Sequence, residues 1–191
     1  MQTSLFQEET HTAVESVDEV YRELLEKGRA IYPGKVFIFG SGKSDADVVV
    51  VGESPGPPDR ISGKPFTGPA GDLLFKILLS IDLKPEDCYL TNIVKFISQG
   101  DEITPEVLTF FAPYLEREIL AVHPRLIISL GNSPTRGLLK TKKAISAIRG
   151  EVLEFNGIPV VPTFNPAYLL RDPSKKREVW EDMKRVRELL G

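Results

Sequence analysis

A run of four valines at residues 48–51 leads directly into a long loop rich in glycine and proline, residues 52–71, in which a helical pattern begins. An unbroken β-branched run of this length is typical of a parallel strand that is buried on both faces. In an open α/β sheet, ligands bind in the loops that leave the carboxyl ends of such strands. Because this loop carries Glu53, Asp59 and the aromatic Phe66, it predicts a pocket in which a flat, base-sized ligand stacks on a ring.

Strand and helix patterns alternate along the rest of the chain. Strands are predicted at residues 36–39, 47–51, 88–91, 126–130 and 160–163. Helices are predicted at residues 13–29, 68–81, 105–122, 133–139 and 173–190. Thr104 and Asp172, each followed by a proline, are the predicted caps of two of these helices. The alternation predicts an α/β protein with a mainly parallel sheet covered by helices on both faces.

Length and composition narrow the class of protein. With 191 residues, the chain is expected to form one compact domain. Its single cysteine, Cys88, excludes an intramolecular disulfide and predicts a reducing, cytoplasmic location. No apolar run approaches the roughly 20 residues that cross a bilayer, and the first residues do not resemble a signal peptide. A protein without membrane attachment is therefore expected.

The net charge of −3 is unevenly distributed. Acidic residues are concentrated in residues 1–26, so the remainder of the chain carries a positive excess. Residues 133–150 and 171–177 are strongly basic. Such clusters can bind phosphates, although solvated lysines and arginines are also common in proteins that bind no nucleic acid. Charge alone leaves both interpretations open.

Several motifs follow the predicted strands in order along the chain. They are GESPG at residues 52–56, GKPFTGPAGDLL at residues 63–74, YLTNIVK at residues 89–95, LG at residues 130–131 and NPAYLLR at residues 165–171. Together they resemble the motif pattern of the uracil-DNA glycosylase superfamily, and specifically of its thermostable family 4 branch. The resemblance covers about residues 35–190. The order and spacing of several motifs make a chance match a poor explanation.

The resemblance implies a three-layer α/β/α fold with a central four-stranded, mainly parallel sheet. Residues 35–191 would form this domain, and residues 1–34 would be an N-terminal helical extension. The implied activity is that of a monofunctional enzyme, expected to be a monomer, which flips uracil out of DNA, hydrolyses its N-glycosidic bond and leaves an abasic site. Two alternatives stay open: a glycosylase for another deaminated base, such as hypoxanthine or xanthine, and a member that binds DNA or a base without cutting.

The resemblance also assigns roles to individual residues. Phe66 matches the aromatic that stacks on the base, and such stacking is worth about 1–3 kcal/mol. Asn92 matches the reader of the uracil edge, since an amide offers a donor to O4 and an acceptor to N3–H, whereas cytosine presents the reverse pattern. Glu53 and Asp59 are the candidate carboxylates beside C1′, and either can position water. Ser54 either orients water or forms the turn.

The last motif supplies the predicted leaving-group donor and DNA contacts. Asn165 stands where family 4 has a histidine that donates to the departing base, and its amide retains one neutral donor. Leu169 or Leu170 is predicted to fill the space left by the flipped nucleotide. The cations predicted to bind phosphates near the start of the last helix are Arg171, Lys175, Lys176 and Arg177.

The chain departs from family 4 at the cofactor. That family binds a 4Fe–4S cluster through four cysteines, whereas here two of the aligned positions are Phe96 and Phe111 and the N-terminal pair is missing. One cysteine cannot supply such a ligand set, so the cluster is predicted to be absent and no other cofactor is expected. The two phenylalanines predict an apolar cluster at this place, packed by the N-terminal helix.

Overall fold

A mixed β-sheet forms the centre of the molecule. The computed structural model describes residues 15–97 and 103–191. The six strands within them are β1 (Ser41–Gly42), β2 (Val48–Gly52), β3 (Cys88–Asn92), β4 (Leu126–Leu130), β5 (Leu153–Phe155) and β6 (Ile158–Thr163). They lie side by side in the order β1-β3-β2-β4-β6-β5.

The central strands β3, β2, β4 and β6 are parallel, and the short edge strands β1 and β5 are antiparallel to their neighbours. The α/β class is therefore confirmed, while the predicted four-stranded sheet is corrected to six strands within the described residues. The strand predicted at residues 36–39 lies outside the sheet, because Phe37 forms only an isolated bridge with Phe96. Edge strands of two or three residues are too short to show an alternating pattern, which is why they escape prediction.

Helices precede, connect and follow the strands. They are α1 (Val17–Ile31), α2 (Pro57–Ser62), α3 (Pro69–Leu79), α4 (Pro105–Val122), α5 (Asn132–Leu139), α6 (Ile145–Ile148), α7 (Pro166–Arg171) and α8 (Lys176–Leu190). The predicted cap at Thr104 is confirmed, because its side chain accepts the N–H of Val107 at the start of α4. The side chain of Asp172 accepts the N–H of Ser174, but it caps a 3₁₀ turn, Pro173–Lys175, that precedes α8. Among the described residues, no helix has both the length and the apolar character of a membrane span.

The strands bury alternate side chains against helices on opposite faces, which gives the molecule three layers. In β2, Val49 and Val51 pack in the core with α1, α4 and α5, whereas Val48 and Val50 pack with α3, α7 and α8. Each of these valines is at most 1% exposed. Apolar surface removed from water stabilises such a sheet by roughly 25 cal/mol per Å².

The N-terminal helix α1 belongs to the same core. A capping box starts the helix, and its residues Val20 and Leu24 are fully buried. Residues 13 and 14, where the predicted helix begins, lie outside the described residues. The division into an extension of residues 1–34 and a domain of residues 35–191 stays a prediction.

The parallel register brings the carboxyl ends of the central strands to one edge of the sheet. Gly52 pairs with Asn92 across β2 and β3, and Leu130 pairs with Thr163 across β4 and β6. The loops that follow these strands therefore converge, which is the usual place of a ligand site in an open α/β sheet.

Candidate active site

A cavity of about 610 Å³ opens at this edge of the sheet, and its volume is within the range of small-molecule pockets. Predicted site residues that line it are Glu53, Ser54, Asp59, Phe66, Asn92, Asn165, Leu170 and Arg171. Predicted residues that do not line it are Leu169, Lys175, Lys176 and Arg177. The loops after β2, β3 and β6 thus meet around one cavity.

Asn92, the last residue of β3, lines the cavity although only 3% of its surface is exposed. Its backbone carbonyl accepts a hydrogen bond of 2.7 Å from Nζ of Lys95. The next residue, Ile93, donates its N–H to the carbonyl of Gly52 at 2.9 Å. In the described part of the chain, the side-chain amide of Asn92 makes no hydrogen bond, and no buried side-chain polar atom lacks a partner, so this amide faces the open cavity. A donor and an acceptor are therefore left for a ligand.

Phe66 has a left-handed backbone conformation, with φ of 59°. A non-glycine residue in this region is strained, and such strain is concentrated at functional sites. The ring packs against Gly52, where an added Cβ would lie 2.7 Å from the ring atom Cζ. The same Cβ would overlap the amide oxygen of Asn92, so the absence of a side chain at Gly52 lets ring and amide approach one another.

Asp59 ties together the loop that carries Phe66. It is only 4% exposed, and its carboxylate accepts the N–H of Gly56 at 2.9 Å and the N–H and hydroxyl of Thr67 at 2.7 and 2.6 Å. Because Thr67 directly follows Phe66, these bonds hold the strained residue in place. Three donors already engage this carboxylate, so we interpret Asp59 as a positioning residue and keep Glu53 as the carboxylate for chemistry.

Glu53 follows β2 directly and is half-buried. Near the start of α5, Ser133 donates its hydroxyl to Oε2 of Glu53 at 2.5 Å. Ser133 is absent from the predicted site residues, because it is 80 residues from Glu53 in the sequence. The signal that points to it is its place just after the Leu-Gly motif that ends β4. A carboxylate held by one hydroxyl keeps lone pairs for water or for a developing positive charge. Ser54 lies on the same cavity wall.

Asn165 is the N-cap of α7 and is half-buried on the cavity wall. Its side-chain oxygen Oδ1 accepts the N–H of Ala167 at 2.9 Å. Because the cap uses the oxygen, the orientation of the amide is set and the Nδ2 hydrogens are left for a ligand. Asn165 therefore presents a donor to the cavity.

The two leucines of the last motif have different surroundings. Leu169 is fully buried in the core, on the same side of α7 as the buried Pro166. Leu170 is 48% exposed and lines the cavity. The prediction that included Leu169 among the DNA contacts is therefore corrected, because a side chain without exposed surface cannot enter a duplex. Leu170 is the candidate that is left.

The predicted phosphate-binding cations also differ from one another. Arg171 lines the cavity, and Lys176 and Arg177 are exposed at the start of α8. Lys175 forms an ion pair within the protein, because its Nζ lies 2.7 Å from Oε1 of Glu178. Arg171, Lys176 and Arg177 are therefore the better candidates for contacts with phosphates.

Packed aromatic rings occupy the positions that align with cluster cysteines of family 4. The rings of Phe96 and Phe111 meet edge to face with centroids 5.5 Å apart, and Tyr32 and Phe37 flank both. Cys88 is buried in β3, and burial raises the pKa of its thiol to about 12. These residues do not fit a cluster that needs four thiolates. Across residues 15–97 and 103–191, no group of three or more His, Cys, Asp or Glu is placed to hold a metal ion.

Comparison with known proteins agrees with this geometry. The family model described as uracil DNA glycosylase superfamily matches residues 39–184. The chain is 32% identical over 189 residues to the type-4 uracil-DNA glycosylase of Archaeoglobus fulgidus, covering 93% of this chain and 95% of that protein. It is 36% identical over 163 residues to the type-4 uracil-DNA glycosylase of Saccharolobus solfataricus, with 80% and 75% covered. For the type-4 uracil-DNA glycosylase of Thermotoga maritima, the identity is 34% over 158 residues, with 80% and 82% covered.

Proposed function

Because the chain belongs to the uracil DNA glycosylase superfamily, we propose that it removes uracil from DNA. Membership makes it a hydrolase of N-glycosidic bonds with a role in DNA repair. In the proposed reaction, the damaged nucleotide leaves the duplex stack and enters the cavity, at a cost of a few kcal/mol. Water then replaces the base at C1′ of the deoxyribose, and an abasic site is left in the DNA.

The amide of Asn92 is the observation that carries this proposal. It lines the cavity and is nearly buried, and it has no hydrogen-bond partner in the described part of the protein. Nδ2 can donate to O4 of uracil while Oδ1 accepts from N3–H. The ring of Phe66, brought close to this amide at Gly52, would stack on the face of the same base.

The charges that develop during cleavage match the other two polar groups. As the bond between base and sugar breaks, positive charge builds on the sugar and negative charge on the base. Glu53, held by Ser133, would stabilise the sugar cation or position the water that attacks it. Asn165 would donate from Nδ2 to O2 of the departing base. These residues need only water as co-reactant, so we propose an enzyme that requires no cofactor.

The DNA itself would contact the rim of the cavity. Leu170 would fill the space that the flipped nucleotide leaves in the duplex, and Arg171 would bind a neighbouring phosphate. Lys176 and Arg177, at the start of α8, would extend this contact along the backbone of the DNA. A cytoplasmic location and a monomeric state stay predictions beside this proposal.

A second candidate substrate is another deaminated base, hypoxanthine or xanthine. The cavity volume of about 610 Å³ leaves room for a purine. Ser54, Asp59 and Asn165 line this cavity, and these three positions of the family motifs favour this alternative. A protein that binds DNA or a base without cutting is the third possibility and an outcome of the same experiment.

The test uses labelled oligonucleotides with uracil opposite guanine, opposite adenine and unpaired, followed by alkaline cleavage of abasic sites. We expect the wild type to act on uracil and Asn92→Ala to lose about 10³-fold in kcat/KM, because a site built to bond a base edge loses both bonds. Asn156→Gly is the matched control, since it removes an exposed asparagine on the turn between β5 and β6.

Each outcome separates the candidates. Uracil release that is lost only in Asn92→Ala supports the proposal, whereas equal release by Asn92→Ala and wild type contradicts the role of Asn92. Hypoxanthine or xanthine release that is faster than uracil release favours the second candidate. Binding of the duplexes with no base released from any of them favours a non-catalytic protein.

A further inference from the structure

Lys95 lies entirely inside the protein, next to the backbone of Asn92. None of its surface is exposed, and its Nζ donates three hydrogen bonds, as many as an ammonium group can make. The acceptors are Oγ1 of Thr91 at 2.5 Å, the backbone carbonyl of Asn92 at 2.7 Å and Oε2 of Glu118 at 2.5 Å. Burial lowers the pKa of Lys95, and the Glu118 carboxylate opposes this effect.

The same network reaches the N-terminal helix. Glu118, on α4, also accepts a short hydrogen bond from the hydroxyl of Tyr21 on α1. The Tyr21 hydroxyl lies 2.6 Å from that of Tyr89 and accepts the N–H of Gly40 at 2.8 Å. A continuous series of hydrogen bonds therefore runs from α1 through α4 to the end of β3.

Stability alone is a weak reason for this arrangement. Removing two charges from water costs about as much as their attraction returns, so apolar side chains of similar volume often stabilise a fold equally well. Apolar side chains cannot donate to the carbonyl of Asn92. On its other side, Asn92 is tied to the loop after β2, because Ile93 donates to the carbonyl of Gly52. Lys95 supplies the bond that holds the strand end from within the core.

We infer that Lys95 is a positioning residue for base recognition, which places the Asn92 amide against the base, and that Glu118 and Tyr21 hold Lys95 for this purpose. This inference rests on the proposed function, in which Asn92 reads the base. It makes α1 a structural support of the recognition site. Its consequence is that loss of the network slows base removal without changing how the protein binds undamaged DNA.

The decisive variant is K95M/E118L, which removes both charges and fills the space with apolar side chains. Tyr21 keeps the Tyr89 hydroxyl as a partner. We expect a melting temperature close to that of the wild type, since no unpaired charge is left. We expect kcat on a uracil-containing duplex to fall roughly tenfold to a hundredfold, since small misplacements of reactive groups have effects of this size. Inhibition by free uracil should weaken as well.

A matched control separates positioning from stability. Val122→Ala truncates a buried residue of α4 that makes no hydrogen bond to the network, so it should lower the melting temperature. At an assay temperature below its transition, it should keep the wild-type kcat. Affinity for a uracil-free duplex should be the same in both variants and in the wild type.

A folded K95M/E118L variant with wild-type kcat and unchanged inhibition by uracil would overturn the inference. If that variant does not melt cooperatively, K95Q/E118Q is used in its place. Both new side chains are neutral and polar, and the glutamine at position 95 is too short to reach the carbonyl of Asn92. The same expectations and the same contrary result then apply. A wild type that releases no uracil overturns the proposed function and the inference together, whereas an active wild type isolates the inference.

Discussion

Asn92 and Asn165 bring the same side chain to the same cavity, but the protein holds them in different ways. The main chain of Asn92 is fixed by Lys95 and by the loop after β2, and its amide has no partner in the described part of the protein. Asn165 is more exposed, and its side-chain oxygen caps α7 through the N–H of Ala167. The first asparagine is held by its backbone and the second by its side chain.

This difference indicates that the two asparagines have different roles in the reaction. An amide with both ends open can match a donor and an acceptor on one base edge, which is what discrimination between uracil and cytosine requires. An amide whose oxygen is already bonded offers only a donor, and one donor is what a departing base with growing negative charge requires. In the proposed reaction, recognition therefore depends on the placement of Asn92, and departure of the base depends on Nδ2 of Asn165.

After Asn92→Ala itself, Gly52→Ala should have the largest effect on base recognition by Asn92. The new Cβ would meet the ring of Phe66 and the amide of Asn92 at once, and both are the far ends of side chains that can move. We expect the fold to survive and kcat/KM on uracil to fall about 10²–10³-fold, since both contacts to the base are displaced. Parallel melting curves and single-turnover assays measure the two effects.

Gly56→Ala is the control for this prediction, in the same loop. Its Cβ would make only an ordinary contact, 3.6 Å from Cδ of Pro58, and its backbone φ of −93° suits alanine. Its activity should stay near that of the wild type. Equal losses in the two variants would mean that the loop, and not the space at Gly52, limits the reaction.

Two substitutions at Asn165 separate its role as the cap of α7 from its role as a hydrogen-bond donor to the base. Asn165→Asp keeps an oxygen that caps Ala167 but loses the Nδ2 donor, whereas Asn165→Ala loses both. We expect both to lose about 10²-fold in kcat, the typical effect of one donor, and only Asn165→Ala to lose roughly 1 kcal/mol in the free energy of unfolding.

The conservative comparison at this position is Asn165→His, which carries an N–H donor and should retain uracil release. Chemical denaturation and kcat measured on one preparation of each variant give both quantities. Wild-type kcat in Asn165→Asp would show that Asn165 is only a cap of α7.

How far the sequence predicts this molecule depends on the range of each interaction. The central strands are predictable because runs such as residues 126–130 are apolar except for Ser129, and the observed β4 has those bounds. Strands β1 and β5 are not predictable, because pairing with a neighbour defines them and local pattern does not. The motifs bring Glu53, Phe66 and Asn92 together in the prediction, and all three line one cavity in the structure.

The motifs do not show which way a side chain points or which residues distant in the sequence it contacts. Leu169 and Leu170 are adjacent in sequence, and only the spacing of the buried Pro166 and Leu169 on one side of α7 distinguishes them. Ser133 is joined to Glu53 by the convergence of two loops that are 80 residues apart. Interactions of this kind follow from the tertiary structure, so they become visible only once the sheet has been assembled.

The smallest expected effect concerns Glu23 on the outer face of α1, the helix that the buried hydrogen bonds of Tyr21, Glu118 and Lys95 connect to Asn92. Hydrogen bonds from Arg117 and Lys27 lower the pKa of Glu23 to about 2. The folded state therefore binds this proton less readily than the unfolded state. The stabilisation is complete above the ordinary pKa of a glutamate, about 4.5, and is lost as the pH falls toward 2. The groups are partly exposed, so salt should weaken the contact.

Glu23→Gln should accordingly melt slightly below the wild type near neutral pH and together with it near pH 2, where Glu23 takes up its proton. Glu181→Gln, which removes an exposed ion pair with Lys184 on α8, serves as the control variant. Uracil release at neutral pH should be unchanged in both variants. The buried hydrogen bond from Tyr21 to Glu118 connects α1 to the network around Lys95, and neither Glu23 nor Glu181 takes part in this bond. A clear loss of kcat in Glu23→Gln alone would show that the position of Asn92 also depends on contacts at the surface of α1, and not only on the buried network.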